Sequence, residues 1–163
     1  MVEVIESYLS SINHELAVFV ISMLPIVELR GAIPYGVALG VDWLAVYFLS
    51  VIGNLIPAPF IVLFFRPIIE YLEKTKLFGK LANKLKTRAN SKIKDVTKYK
   101  MLGLFIFVAV PLPGTGAWTG ALIAALLGIR IKHSLPIITL GVITAGLIMS
   151  FVSYVLPVII ALF

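Results

Sequence analysis

The chain has 163 residues, of which 60% are hydrophobic and 13% charged, with a formal net charge of +6 and no cysteine. A globular domain is roughly 45–50% apolar and about 25% charged, and one this small buries only part of its surface. The composition therefore excludes an ordinary water-soluble domain and calls for lipid to cover the rest. Lack of cysteine excludes disulfides, thiolate metal centres and cysteine nucleophiles. Residues 66–100 hold eleven of the fourteen basic residues and three of the eight acidic ones. Confinement of charge to one connector between apolar blocks excludes a general nucleic-acid binder.

Residues 1–15 carry Glu3, Glu6 and Glu15 and no Lys or Arg, unlike the positive start of a secretory signal. The N-terminus is expected to be retained. Val4, Ile5, Tyr8, Leu9 and Ile12 give residues 1–14 a weak amphipathic pattern, so 1–15 are read as an interfacial helix.

Residues 16–41 are apolar but broken by Pro25, Gly31, Pro34, Gly36 and Gly40. Proline removes a backbone donor and glycine weakens a helix. Two half-helices joined at a bend are expected, with Pro25 and Pro34 as hinges. Non-helical backbone survives at membrane depth only where protein or a water-filled cavity covers it, so this block reads as a re-entrant hairpin. Residues 43–65 are an uncharged run of 23, against about 20 needed to span a bilayer. Asn54 lies inside it, just before Pro57 and Pro59.

The connector 66–100 is basic, which places it on the cytoplasmic side. Leu77, Leu81 and Leu85 fall four apart with Lys between them. That pattern fits an amphipathic helix on an anionic leaflet as well as a solvated helical loop. Residues 101–129 repeat the broken pattern, with Pro111, Pro113, Gly114, Gly116 and Gly120 within ten positions. Residues 134–163 are a second uncharged run. A hairpin at 101–129 leaves the basic turn Arg130–His133 on the cytoplasmic side, as the charge rule requires; a full crossing would not.

Hairpin plus helix thus occurs twice, in opposite orientations. At an offset of 88, Pro25, Leu39, Gly40 and Gly53 fall on Pro113, Leu127, Gly128 and Gly141, while Leu16, Phe19, Val20 and Leu24 fall on Leu104, Phe107, Val108 and Leu112. Inverted repeats with broken helices meeting near the midplane are a recurrent plan of secondary transporters. The expected fold is an all-α, multi-pass integral membrane protein of the cell or cytoplasmic membrane. It has two inverted repeats, 16–65 and 101–163, each a re-entrant helical hairpin plus a transmembrane helix, joined by the basic cytoplasmic connector.

Charges deep in a bilayer are costly and usually line a pathway or pair with each other. Glu28 and Arg30, beside Gly31, are the candidates in the first bend. Two positions apart on a helix they point to different faces, so no mutual salt bridge is required. Arginine offers a planar fork suited to phosphate or carboxylate. In the second bend, Pro111 is a hinge, and Pro113, Gly114, Thr115, Gly116, Trp118 and Thr119 are candidate substrate or ion contacts. A half-helix N-terminus there is a ready anion site. The lysine of a P-loop is missing, so nucleotide binding is not expected. Asn54 is a further candidate contact. His14 and His133 are isolated, no cluster has metal-ligand spacing and no serine motif is present, so neither a metal site nor an enzyme is expected.

ELRGAIPYGVALG at 28–40, GNLIPAP at 53–59 and PLPGTGAWTGA at 111–121 resemble signature stretches of the putative small multidrug export protein family, itself similar to the wider DedA membrane family. The resemblance to DedA implies movement of polyprenyl-phosphate carrier lipids coupled to proton or sodium gradients, with acids and arginines in re-entrant bends. Glu28 and Arg30 match that arrangement; the second bend carries neither an arginine nor an acid. The expectation is an ion-coupled (H+ or Na+) translocase for an anionic lipid phosphate, with lipid as its surroundings and a homodimer compatible with its small size. The alternatives are a proton-coupled exporter of hydrophobic cations and a non-transporting membrane scaffold.

Overall fold

The computed structural model describes residues 2–73 and 100–155, with 157 and 159. These residues form helices and no strand: α1 (Val2–Met23), α2 (Glu28–Ala38), α3 (Trp43–Leu55), α4 (Pro57–Glu73), α5 (Lys100–Ala109), α6 (Ala117–Leu126) and α7 (Ile131–Ser150), followed by a π-helical turn (Phe151–Val155). Most of the connector, with Leu77, Leu81 and Leu85, lies outside the described residues.

Both apolar blocks that the prolines and glycines interrupt do break. α1 ends at Met23 and α2 begins at Glu28; α5 ends at Ala109 and α6 begins at Ala117. At about 1.5 Å per residue, α2, α5 and α6 are each roughly 15–17 Å long, too short to cross a hydrocarbon core of about 30 Å. Trp43–Phe65 and Ile131–Val155 are long and apolar enough to cross one. The first passes the α3–α4 junction, where Ile56 keeps helical dihedrals and Pro57 opens α4. Proline is tolerated in a first helical turn because its missing donor would be unbonded there anyway. α1 runs unbroken from Val2, so residues 2–15 continue the first arm of the hairpin. Pro34 lies inside α2, whose helix runs through it, and the bend falls wholly at residues 24–27.

The two halves repeat the same turns. After α2, Gly40 (φ +71°) donates to the Val37 carbonyl and Val41 to that of Gly36; after α6, Gly128 (φ +65°) donates to Ala125 and Ile129 to Ala124. Both are Schellman motifs, which need a residue in the left-handed region and therefore favour glycine. The next helix starts at Trp43 in one half and at Ile131 in the other, again 88 apart. Their caps differ: the Asp42 carboxylate accepts the Leu44 and Ala45 N–H groups, whereas Arg130 makes no side-chain cap.

α7 is central. It packs on α2, α3, α4, α5 and α6, and it buries Ile138, Val142 and Ala145. α1 lies along α3 and α5 along α7. Glycine sets both approaches. A Cβ on Gly53 would meet the Phe19 carbonyl at 2.6 Å; one on Gly141 would meet the Val108 side chain at 2.7 Å and the Phe105 carbonyl at 3.3 Å. Close backbone contact through small residues is the usual means of helix association in lipid, where apolar burial drives nothing. Phe48, Phe60, Phe64, Leu140, Leu147 and Phe151 point outward, a surface that water would not tolerate in so small a protein.

These contacts predict that Gly53→Ala and Gly141→Ala each destabilise the fold by about 1–3 kcal/mol through overpacking. Gly103→Ala, whose Cβ meets nothing within 4 Å on α5, should instead stabilise it by about 0.5–1 kcal/mol. Thermal unfolding in detergent, followed by circular dichroism, checks the opposite signs.

Candidate functional site

The two bends meet, and the only ion pair among the described residues lies where they do. Glu28 has φ +51°, a left-handed conformation that a non-glycine residue adopts at a cost of roughly 1–2 kcal/mol. Its counterpart 88 positions on is Gly116, with φ +122°. The unusual backbone at Glu28 turns the carboxylate inward: the residue is 3% exposed. Arg30 then lies on the same side, its Nη2 3.9 Å from Glu28 Oε2. Helical spacing had separated the two side chains. They converge because Glu28 opens the helix with non-helical dihedrals.

Gly116 is the N-cap of α6 and has no side chain with which to cap it. The Glu28 carboxylate does so from the other half of the chain: Oε1 accepts the Trp118 backbone N–H at 3.1 Å. A carboxylate at a helix N-terminus satisfies an orphan donor and faces the positive end of the dipole. The fit is tight, since a Cβ on Gly116 would run into Glu28 Oε2 and stand 2.8 Å from Arg30 Nη2.

Arg30 is directed at the second bend. Its Nη1 donates to the Leu112 carbonyl, and its Nη2 donates to Thr115 Oγ1 at 2.7 Å. The Thr115 hydroxyl in turn lies 2.8 Å from the carbonyls of Val110 and Leu112. The Trp118 indole Nε1–H donates to the Met23 carbonyl at the end of α1, at 3.1 Å. Each bend thus satisfies backbone groups that the other leaves open. Two polar atoms at the node are buried without a hydrogen-bond partner among the described residues, Glu28 Oε2 and Arg30 Nε.

Of the residues expected at a site, Glu28, Arg30, Thr115, Gly116 and Trp118 come together here. Pro111, Pro113 and Gly114 form the turn that carries Thr115. Gly31 lies in α2 beside Val27. Thr119 is on α6 with no bond to the ion pair. Asn54 is buried on α3, its Oδ1 unpartnered, as is the Ser50 hydroxyl one turn earlier. Met23 and Leu112 contribute through backbone carbonyls, which no residue type announces. The bend tips are open: Ile26 is 93% exposed, and Leu24, Leu112 and Pro113 are exposed too. A separate cleft of about 340 Å³ lies where α4 meets the α6–α7 turn, lined by Val62, Leu63, Ile129, Arg130, Ile131 and Lys132. No group of three or more metal-ligating side chains occurs among the described residues.

The node predicts that Thr115→Val, which strips the acceptor from Arg30 and the donor from the turn carbonyls, costs about 1–3 kcal/mol of stability. Trp118→Phe removes one donor to Met23 and should cost less, about 1 kcal/mol. Melting temperatures of the two variants against the wild type test the order.

Residues 28–148 match the family model described as putative small multi-drug export protein. The matched segment begins at Glu28, just past the first bend, and takes in the second bend, both Schellman turns and most of α7. No curated protein and no solved structure matches the chain. With two helices able to span a bilayer and a family match over well more than half its length, this membrane protein belongs to the putative small multi-drug export protein family.

Proposed function

We propose that the chain is a membrane transporter that moves an anionic amphiphile, a lipid phosphate such as a polyprenyl phosphate, with the facing bends as its transport site and an ion gradient (H+ or Na+) as its driving force. In this reading the two halves are inverted repeats, each hairpin is re-entrant, residues 66–100 are cytoplasmic, and the chain is kin to the DedA membrane family. Supporting the repeat are the equal offsets of the turns and of the helix starts. Supporting re-entrance are the half-membrane lengths of α2, α5 and α6.

The observation that carries the proposal is the placement of an arginine and a helix N-terminus around one carboxylate, at the edge of an exposed apolar surface. Arg30 is 16% exposed and lies beside the open bend tips. An amphiphile can lay its chain along Ile26, Leu112 and Pro113 while its phosphate reaches the guanidinium. Arginine's planar fork suits that headgroup, and helix N-termini bind anions with N–H groups already in place. The Arg130–Lys132 cleft, basic at its rim and apolar in its walls, gives the same kind of molecule a lodging on the cytoplasmic leaflet.

A second reading, export of hydrophobic cations in exchange for protons, is favoured by the family description and by the unpartnered oxygen of Glu28. Arg30, 3.9 Å from that oxygen, opposes a cation there.

Proteoliposomes separate the two readings. A short-chain polyprenyl phosphate should be transported by the wild type and at least roughly tenfold more slowly by Arg30→Ala, since a charge-assisted hydrogen bond contributes about 1.5–3 kcal/mol. Undiminished transport by Arg30→Ala would rule out the anionic reading. Movement of a lipophilic cation instead, abolished by Glu28→Gln, would establish the exporter. Charge reversal at Lys132 should slow lipid-phosphate transport at low substrate and leave the maximal rate unchanged, as expected for a capture site.

A further inference from the structure

We infer that the Glu28 carboxylate is a built-in competitor for the transported anion: it occupies the anion site formed by Arg30 and the N-terminus of α6, and it must leave that site for substrate to enter. This inference rests on the reading of the substrate as an anion.

Three features of the node support it. The carboxylate is bound as a substrate anion would be. One oxygen accepts a backbone N–H at a helix N-terminus, the other faces a guanidinium, and a glycine brings the main chain against it. The occupancy is also incomplete. Glu28 Oε2 and Arg30 Nε are both buried and unpartnered, and the 3.9 Å separation of Nη2 from Oε2 exceeds the roughly 2.7–2.9 Å of a charge-assisted hydrogen bond. A phosphate oxygen has the reach and lone pairs to bond where Glu28 does not. Finally, the carboxylate is held there by strained backbone, since Glu28 carries φ +51°. A residue in that region stays only where its surroundings over-determine it, and such positions cluster at ligand clamps and switches.

Entry of the anion then has a defined consequence. Two anions cannot share one guanidinium in a low-dielectric site without severe repulsion, so Glu28 withdraws or takes up a proton as the phosphate binds. Of the elements packed on α2, α3 with its cap carries Asp42 and Tyr47, α7 carries Lys132 and His133 and the π-helical turn carries Tyr154, and none of these is bonded to Glu28 or Arg30. Arg30 is the charged residue α2 contributes; α6, the bend at 110–116 and the C-terminal turn of α1 contribute none. The proton and the anion travel together by mutual exclusion, and a single carboxylate serves as both coupling group and gate. When no anion is present, the same carboxylate keeps Arg30 and the α6 N-terminus neutralised, so the bends hold together in the empty protein.

The test is equilibrium binding in detergent with dioctyl phosphate, whose single charge does not titrate between pH 5 and 8. The chain has two tryptophans. Trp43, on the exposed first turn of α3, is changed to Phe so that Trp118 fluorescence reports the site. Glu28→Gln keeps the length of the side chain and an oxygen for the Trp118 N–H while removing the competing charge. It should bind dioctyl phosphate at least roughly tenfold more tightly, and Arg30→Ala should not bind it. Glu28→Asp, still charged, should remain weak. Wild-type affinity should rise as pH falls, because binding takes up a proton at Glu28, and the Glu28→Gln profile should be flat. The wild-type pH series stands even where a variant fails to fold. Arg30-dependent binding that neither Glu28→Gln nor pH alters would overturn the competitor and leave the anion reading standing. No binding by any variant, Glu28→Gln included, would overturn both.

Discussion

The molecule depends on one exchange between its halves: a carboxylate from the first bend caps the helix that leaves the second. Any helix that stops leaves donors and acceptors without partners, and a broken helix in an apolar medium has no water to satisfy them. Here four helices end near one another, and the two bends exchange hydrogen bonds across the gap. Glu28 serves the N-terminus of α6; Arg30 and the Trp118 indole serve the carbonyls of Leu112 and Met23. The arrangement also disposes of the charges. A buried ion with no partner costs several kcal/mol, whereas Glu28 faces both Arg30 and a helix dipole. The node therefore accounts at once for breaks in apolar helices and for two charges inside them.

Around that node the rest of the fold is a packing problem solved by small residues. α7 can touch five other helices because Gly141 and Gly146 let α5 and α3 approach it, and Gly36 and Gly120 admit valines from the neighbouring helices. Outside the node, two side-chain hydrogen bonds join distant segments among the described residues. The Tyr47 and Tyr154 hydroxyls donate to carbonyls of Ile143 and Val41, each at 3.3 Å, and link α3 to α7 and the π-helical turn to the α2–α3 connection. The glycines thus hold the helices at short range, and the bends set how the two halves are keyed to each other.

Much of this was legible in the sequence, because it rests on residues with strong backbone preferences. Gly40 and Gly128 mark two identical helix ends, Pro25 and the 111–116 run mark the breaks, and the uncharged runs mark the spans. Where the reading fell short, the information lay in tertiary geometry. The spacing of Glu28 and Arg30 predicted divergence, because a glutamate gives no sign that it will adopt φ +51°; only its alignment with Gly116 hinted at a special backbone there. Pro34 looked like a hinge, yet α2 continues through it and the bend sits at 24–27. Leu112 and Met23 act through carbonyls, which every residue carries. Nothing in the sequence showed that the Trp118 indole proton would be bound to Met23 of the chain itself.

The location of the node also bears on what it can do. A salt bridge whose sole task was to hold helices together would have its buried polar atoms bonded, since leaving one unpaired costs free energy. This one lies next to bend tips that expose apolar side chains, Ile26 more than any other large hydrophobic residue among those described. Its two partners stand farther apart than a direct hydrogen bond, with a buried oxygen and a buried nitrogen left unbonded. On the proposed reading, such a pair is bound well enough to keep an empty site neutral and loosely enough to be exchanged. A cation approaching it would have to displace Arg30, whose guanidinium is anchored to the opposite bend through both terminal nitrogens. An anion has only to displace a strained glutamate, and it finds the anchored arginine and the helix N-terminus already aimed at it.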